Sequence, residues 1–118
     1  MSTVDLDIVQ EPVTDAEVAI YTASTASNFQ SAKIVGGLCT NFSSTDTELT
    51  INIVQSTGSA ATTNRYFGPK VIFAGEQDLL SAIAGSGIIL KSGDSIVTIA
   101  SIASNLSVKL SIVEKYSD

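Results

Sequence analysis

The chain has 118 residues, enough for one domain with a buried core. Apolar residues make up 44% and charged residues 15%, which excludes a disordered chain of low hydrophobicity and high charge. It has no His, one cysteine (Cys39) and a net charge of −6. A Ser-His-Asp triad, a Cys-His pair, a Cys/His zinc site, an intrachain disulfide and the basic footprint of a nucleic-acid binder are therefore all excluded within one chain.

Ile, Val and Thr together number 35, and Ser plus Thr number 29. Forked side chains pack well on a pleated surface, so this composition predicts an all-β protein. Charge is uneven along the chain. Residues 1–15 carry Asp5, Asp7, Glu11 and Asp15 with no basic residue, whereas the other 103 residues hold eight acidic and six basic side chains. Pro12 biases Glu11 towards extended geometry. Residues 1–15 thus read as an extended acidic N-terminal arm, a first edge strand or a solvated flexible tail, and residues 16–118 as a single β-sandwich domain.

Residues 17–22 (EVAIYT) alternate and predict a strand. Residues 31–42 predict a second, with Ala32, Ile34, Leu38, Thr40 and Phe42 on one face and a bulge or bend at Gly36-Gly37. Residues 48–55 (ELTINIVQ) place Leu49, Ile51 and Ile53 inward and Glu48, Thr50 and Asn52 outward. STGSAATTN at 56–64 reads as a loop forming an outward-facing tip, and 65–73 as extended structure broken at Gly68-Pro69. DLLSAIAG, 78–85, is ambiguous between a connection and one helical turn capped by Asp78 and ended by Gly85. Residues 88–91 lead into the turn Ser92-Gly93-Asp94, and 95–102 (SIVTIASI) are apolar on both faces, as a central strand is. Residues 106–114 set Leu106, Val108, Leu110 and Ile112 against Ser107, Lys109 and Ser111. Seven or eight strands at this spacing predict an antiparallel β-sandwich, Ig-like or jelly-roll-like.

Candidate chemistry is sparse. Glu76, Asp78 and Asp94 are the obvious carboxylates for acid–base work, yet turn positions make them ordinary solvated side chains. Cys39 has no His to activate it and reads as a small strand residue. Asn41-Phe42-Ser43 and Asn105-Leu106-Ser107 match the glycosylation sequon by chance in a Ser-rich chain, and Gly85-Ser86-Gly87 lacks the spacing of a dinucleotide fingerprint. No enzyme, cofactor or metal is expected. No apolar stretch is long enough to span a membrane, and the first residues have no basic region ahead of an apolar core, so neither membrane nor secretory signal is expected.

The features occur in the order AIYTA, CTNFSSTDTELTINIV, a Ser/Thr/Gly loop, a Tyr-Phe segment, EQDLLSAIAG, IILKSGDSIVTIASIASN and LSVKLSIVE. This order resembles a family of small β-sandwich virion proteins of tailed bacteriophages. Its members open with a Leu-Tyr-Thr strand, carry Asn and a Ser/Thr/Asp turn after the second strand, and close through a Leu-x-x-Gly-Asp-x-Ile segment. The resemblance spans residues 19–114, and Leu90, Gly93, Asp94 and Ile96 fall on its most recognisable part. Phe73-Ala74-Gly75 stands where such proteins carry a proline.

The resemblance implies a non-enzymatic structural role in the particle. Capsid decoration or cement is the first choice, because an acidic arm and a near-neutral body suit repeated docking on a lattice. A neck, tail or fibre component is the alternative. Expected partners are the major capsid protein or neck and tail proteins, with other copies of the chain forming a homo-oligomer. The expected location is the virion, after synthesis in the host cytoplasm. Asp5, Asp7, Glu11 and Asp15 are the candidate partner-binding residues, lying across a basic patch of a neighbouring subunit. A rival from another class is a carbohydrate-binding or adhesin-like sandwich, which clustering of Tyr21, Tyr66 and Phe67 on one surface would favour.

Overall fold

The computed structural model describes residues 1–81, 83 and 88–118. Nine β-strands follow one another among them: β1 (Ser2–Gln10), β2 (Val18–Thr22), β3 (Phe29–Asn41), β4 (Thr47–Val54), β5 (Arg65–Ile72), β6 (Gln77–Asp78), β7 (Ile89–Leu90), β8 (Ser95–Ala100) and β9 (Leu106–Tyr116). No α-helix occurs among the described residues, and none is long and apolar enough to cross a membrane. The predicted helical turn after Asp78 lies partly outside the described residues, at 82 and 84–87. Its described part is a turn, with the Leu80 amide donating to Asp78 Oδ1 at 2.8 Å and the Ile83 amide to the Leu80 carbonyl at 2.9 Å.

The strands form two antiparallel sheets, and the all-β sandwich expected from composition is the observed fold. One sheet has the order β1-β9-β3-β6, with β7 on the same edge of β3 as β6; the other has the order β2-β8-β4-β5. The pairs are nested. β4 pairs with β5, β3 with β6 and β7, β2 with β8, and β1 with β9, as if one long hairpin folded at the β4–β5 turn had been rolled up. Rolling brings β9 beside β3 and β8 beside β4, which joins each set of strands into one open sheet. This is the jelly-roll arrangement of a double-sheet sandwich. The 13-residue β3 is the longest strand in a body measuring 48 × 25 × 21 Å.

The core lies between the sheets. Leu106, Val108, Leu110 and Ile112 of β9 and Leu49 and Ile51 of β4 are fully buried, on the faces their period-2 pattern assigns them. The pattern of β3 changes face midway. A register shift between Ile34 and Gly36 inserts one extra residue, so Ala32 and Ile34 point inward before it, and Cys39 and Asn41 after it. Leu38, Thr40 and Phe42 therefore leave the face they were expected to share with Ala32 and Ile34, and Phe42 is 53% exposed. On β4, Thr50 and Asn52 are buried rather than open to solvent. The 55–64 segment folds back along that sheet, and Asn52 Nδ2 donates to the Ala61 carbonyl at 2.9 Å and to Asn64 Oδ1 at 2.7 Å.

Asn41 ties the sheets together at one end. Its Nδ2 donates to the Ile72 carbonyl on β5 at 2.8 Å and to the Thr45 carbonyl at 2.9 Å, while its Oδ1 accepts from the Ser43 amide and hydroxyl. A fully buried amide with both hydrogens donated is no glycan acceptor. The turn at Phe73-Ala74-Gly75 is held by Asp46 accepting from the Ala74 amide and by a Phe73 carbonyl bonded to the Glu76 amide. At the Gly-Asp turn, Gly93 adopts φ +82° and Asp94 Oδ2 accepts from the Lys91 amide at 2.9 Å. Glycine takes such a φ at no steric cost, which is why that residue type stands there.

Candidate functional site

β1 carries the acidic residues singled out from the sequence. Its first seven residues read STVDLDI, and their alternation sends Thr3, Asp5 and Asp7 to the outer face while Leu6 and Ile8 pack against the core. β1 pairs with β9 in unbroken register from Ser2 opposite Tyr116 to Gln10 opposite Val108. The acidic segment is thus the edge strand of a sheet over nine residues. Gln10 continues the tie across the sandwich, since Thr98 Oγ1 on β8 donates to Gln10 Oε1 at 2.5 Å.

Asp5 and Asp7 are both exposed and share one face two positions apart. Asp5 lies opposite Val113, and Asp7 opposite Ser111, whose hydroxyl donates to Asp7 Oδ1 at 3.2 Å. Lys109 and Lys115 of β9 lie opposite Val9 and Thr3, on the diagonals of the aspartates. Among the described residues the ion pairs are Met1 with Asp118 and Lys70 with Asp78, so neither Asp5 nor Asp7 is neutralised by a direct partner. Glu11 and Asp15 are not on this face. They lie in the link to β2, either side of Val13, which is fully buried and bonded through its amide to the Leu106 carbonyl at 2.8 Å. The structure brings Asp5 and Asp7 together and leaves Glu11 and Asp15 as exposed residues of an anchored turn.

Of the other candidate carboxylates, Glu76 is exposed, whereas Asp78 and Asp94 have structural partners. Asp78 accepts from Lys70 Nζ at 2.6 Å and from the Leu80 amide at 2.8 Å. Burial pushes its carboxyl up, but the Lys70 hydrogen bond, the Leu80 amide and the Lys70 charge together hold it below the ordinary aspartate value. Asp94 closes its own turn. Cys39 is fully buried, and burial, followed by the nearby Asp78 charge, pushes its thiol up to about 12, which keeps it protonated and unreactive. Among the described residues no group of three or more His, Cys, Asp or Glu side chains is placed to hold a metal ion.

One polar cluster escaped the sequence reading. Glu114 on β9 is buried and accepts from the Tyr21 hydroxyl at 2.5 Å and the Tyr116 hydroxyl at 3.1 Å. Burial, then the Glu114 hydrogen bond and charge, push the Tyr21 hydroxyl well above the ordinary tyrosine range. Tyr116 also meets Phe29 edge-on with ring centroids 5.5 Å apart. The only local signal for this cluster was a carboxylate at the end of an inward-facing row. Tyr21 and Phe67 are both buried and Tyr66 is half exposed, so the three aromatics do not form one surface. A cleft of about 690 Å³ lies between the 55–64 segment and the β7–β8 turn, lined by Gln55, Asn64, Tyr66, Lys91 and Asp94 among others.

Compared with family models, curated proteins and solved structures, the chain finds no match in any of the three.

Proposed function

We propose that the chain is a non-enzymatic structural protein of a tailed-bacteriophage virion, a decoration or cement protein that docks on the head lattice. The observation that carries this reading is the β1 edge, nine residues in unbroken register with Asp5 and Asp7 on its exposed face. A long exposed edge is a template for pairing, and a protein present in many copies keeps one safely only if the edge is covered in the assembly or guarded by charge. The jelly-roll nesting adds fold-level support, because this architecture recurs in capsid domains. The resemblance of residues 19–114 supplies the tailed-phage assignment. Partners on this reading are the major capsid protein and neighbouring copies of the chain, with a neck, tail or fibre site as the variant of the same role.

The test is a cryo-EM map of particles carrying the chain. Its density repeated over the head shell supports decoration, density at the neck or tail moves the role within the particle, and absence from particles overturns it. The cleft beside Tyr66 and Asp94 favours a second reading, because jelly rolls also serve as lectins and the cleft offers an aromatic face beside amides and a carboxylate. A glycan array would support it by saturable binding lost in Tyr66→Ala.

A further inference from the structure

We propose that the free edge of β1 is a strand-addition site for an extended partner segment in which lysine or arginine alternates with apolar residues. The inference rests on the docking role proposed above and names the chemistry of the partner.

The first ground is the contrast between edges. β2 is short and broken by a register shift between Ala19 and Tyr21. β5 carries Gly68-Pro69, Lys70 and two register shifts against β4. β6 and β7 hold two residues each. Short edges, bulges, proline and lysine are the devices that keep edges from pairing. Ser2–Gln10 has no proline, no lysine and no register shift. In an antiparallel pair alternate residues turn their N–H and C=O towards the partner strand, and the others turn theirs away. The outward half of β1's backbone groups is therefore arrayed for a further strand.

The second ground is charge. A strand laid beside β1 sets one row of its side chains against Thr3, Asp5, Asp7 and Val9 and the other beside Val4, Leu6 and Ile8. Cross-strand neighbours of opposite charge attract and like charges repel. Two basic residues two positions apart would meet Asp5 and Asp7, and the intervening residues would cover Val4, which is 41% exposed, and the flanks of Leu6 and Ile8. A second copy of this chain is disfavoured. Antiparallel β1-to-β1 pairing centred on Leu6 would put Asp5 of each copy against Asp7 of the other.

The experiment titrates the full chain with a short peptide alternating lysine and valine and follows amide shifts and hydrogen exchange residue by residue. Controls are a peptide with the same lysines and valines in two separate blocks, and the alternating peptide N-methylated on every second amide. Binding by the alternating peptide alone, with new exchange protection on alternate residues of 2–10, is the expected result. Asp5→Asn with Asp7→Asn should weaken it about tenfold through loss of two charge pairs. Equal binding by the blocked peptide, protection elsewhere, or dimerisation through β1 by sedimentation would overturn the proposal. Particles decorated by the chain with residues 2–10 open to solvent would also overturn it while sparing the virion role. Peptide binding by a chain absent from particles would do the reverse.

Discussion

Asn41→Ala should be among the most damaging single changes of a polar residue in this protein. The side chain is fully buried and its Nδ2 bridges the Thr45 and Ile72 carbonyls, linking β3 of one sheet to β5 of the other. Each of the two lost hydrogen bonds removes about 1 kcal/mol net, and a buried partner left without its donor costs about 1–3 kcal/mol more, so the expected loss is about 3–5 kcal/mol. For a domain of this size, at about 4 °C per kcal/mol, that lowers Tm by about 12–20 °C. Asn41→Asp should be worse. It keeps the oxygens that accept from Ser43 but turns a carboxylate towards two carbonyl oxygens. The assay is urea denaturation followed by far-UV circular dichroism, since the chain has no Trp. The midpoint should fall in the order Asn, Ala, Asp with an unchanged m-value. A loss below about 0.5 kcal/mol for Asn41→Ala, the size of an ordinary surface change, would refute the reasoning, as would Asp tolerated as well as Asn.

Other outcomes follow from the same packing. Cys39 and Tyr21 both have folded-state values raised above their unfolded ones, so their contributions are fully present below about pH 9 and are lost as pH rises beyond the unfolded values. Asp78 is held low, so its contribution is present above about pH 4 and fades in stronger acid; denaturation midpoints across pH should therefore be flat between about 5 and 8 and fall in alkali, less steeply in Cys39→Val. Native chain should resist iodoacetamide at neutral pH and react only once unfolded, as mass spectrometry would show; rapid labelling of the folded chain would contradict the burial of Cys39. Gly68→Ala should break the β4–β5 bulge, because Gly68 has φ +80° and an added Cβ would overlap the Leu49 carbonyl oxygen; a urea midpoint within the error of the parent chain would contradict this.

Local alternation determined much of this protein. The inward row of β9, the inward Leu49, Ile51 and Ile53 of β4 and the shared face of Asp5 and Asp7 follow from a side-chain period of two, which any half-buried strand obeys, and the central place of β8 follows from apolar residues on both its faces. The all-β class followed from β-branched composition for the same reason. Tertiary structure decided the rest. Gly36-Gly37 signalled an irregularity, but only the ladder against β9 sets where the extra residue sits, and that parity sends Cys39 and Asn41 inward and Phe42 outward. The buried Glu114 finds Tyr21 from 93 residues away, and Asn52 is held by a segment folding back from beyond its strand. The acidic segment becomes a free edge because the nested pairing leaves β1 at the end of its sheet. Alternation depends on adjacent residues, whereas register, cover and edge position depend on which strands meet, and that is settled by burying all the apolar faces at once.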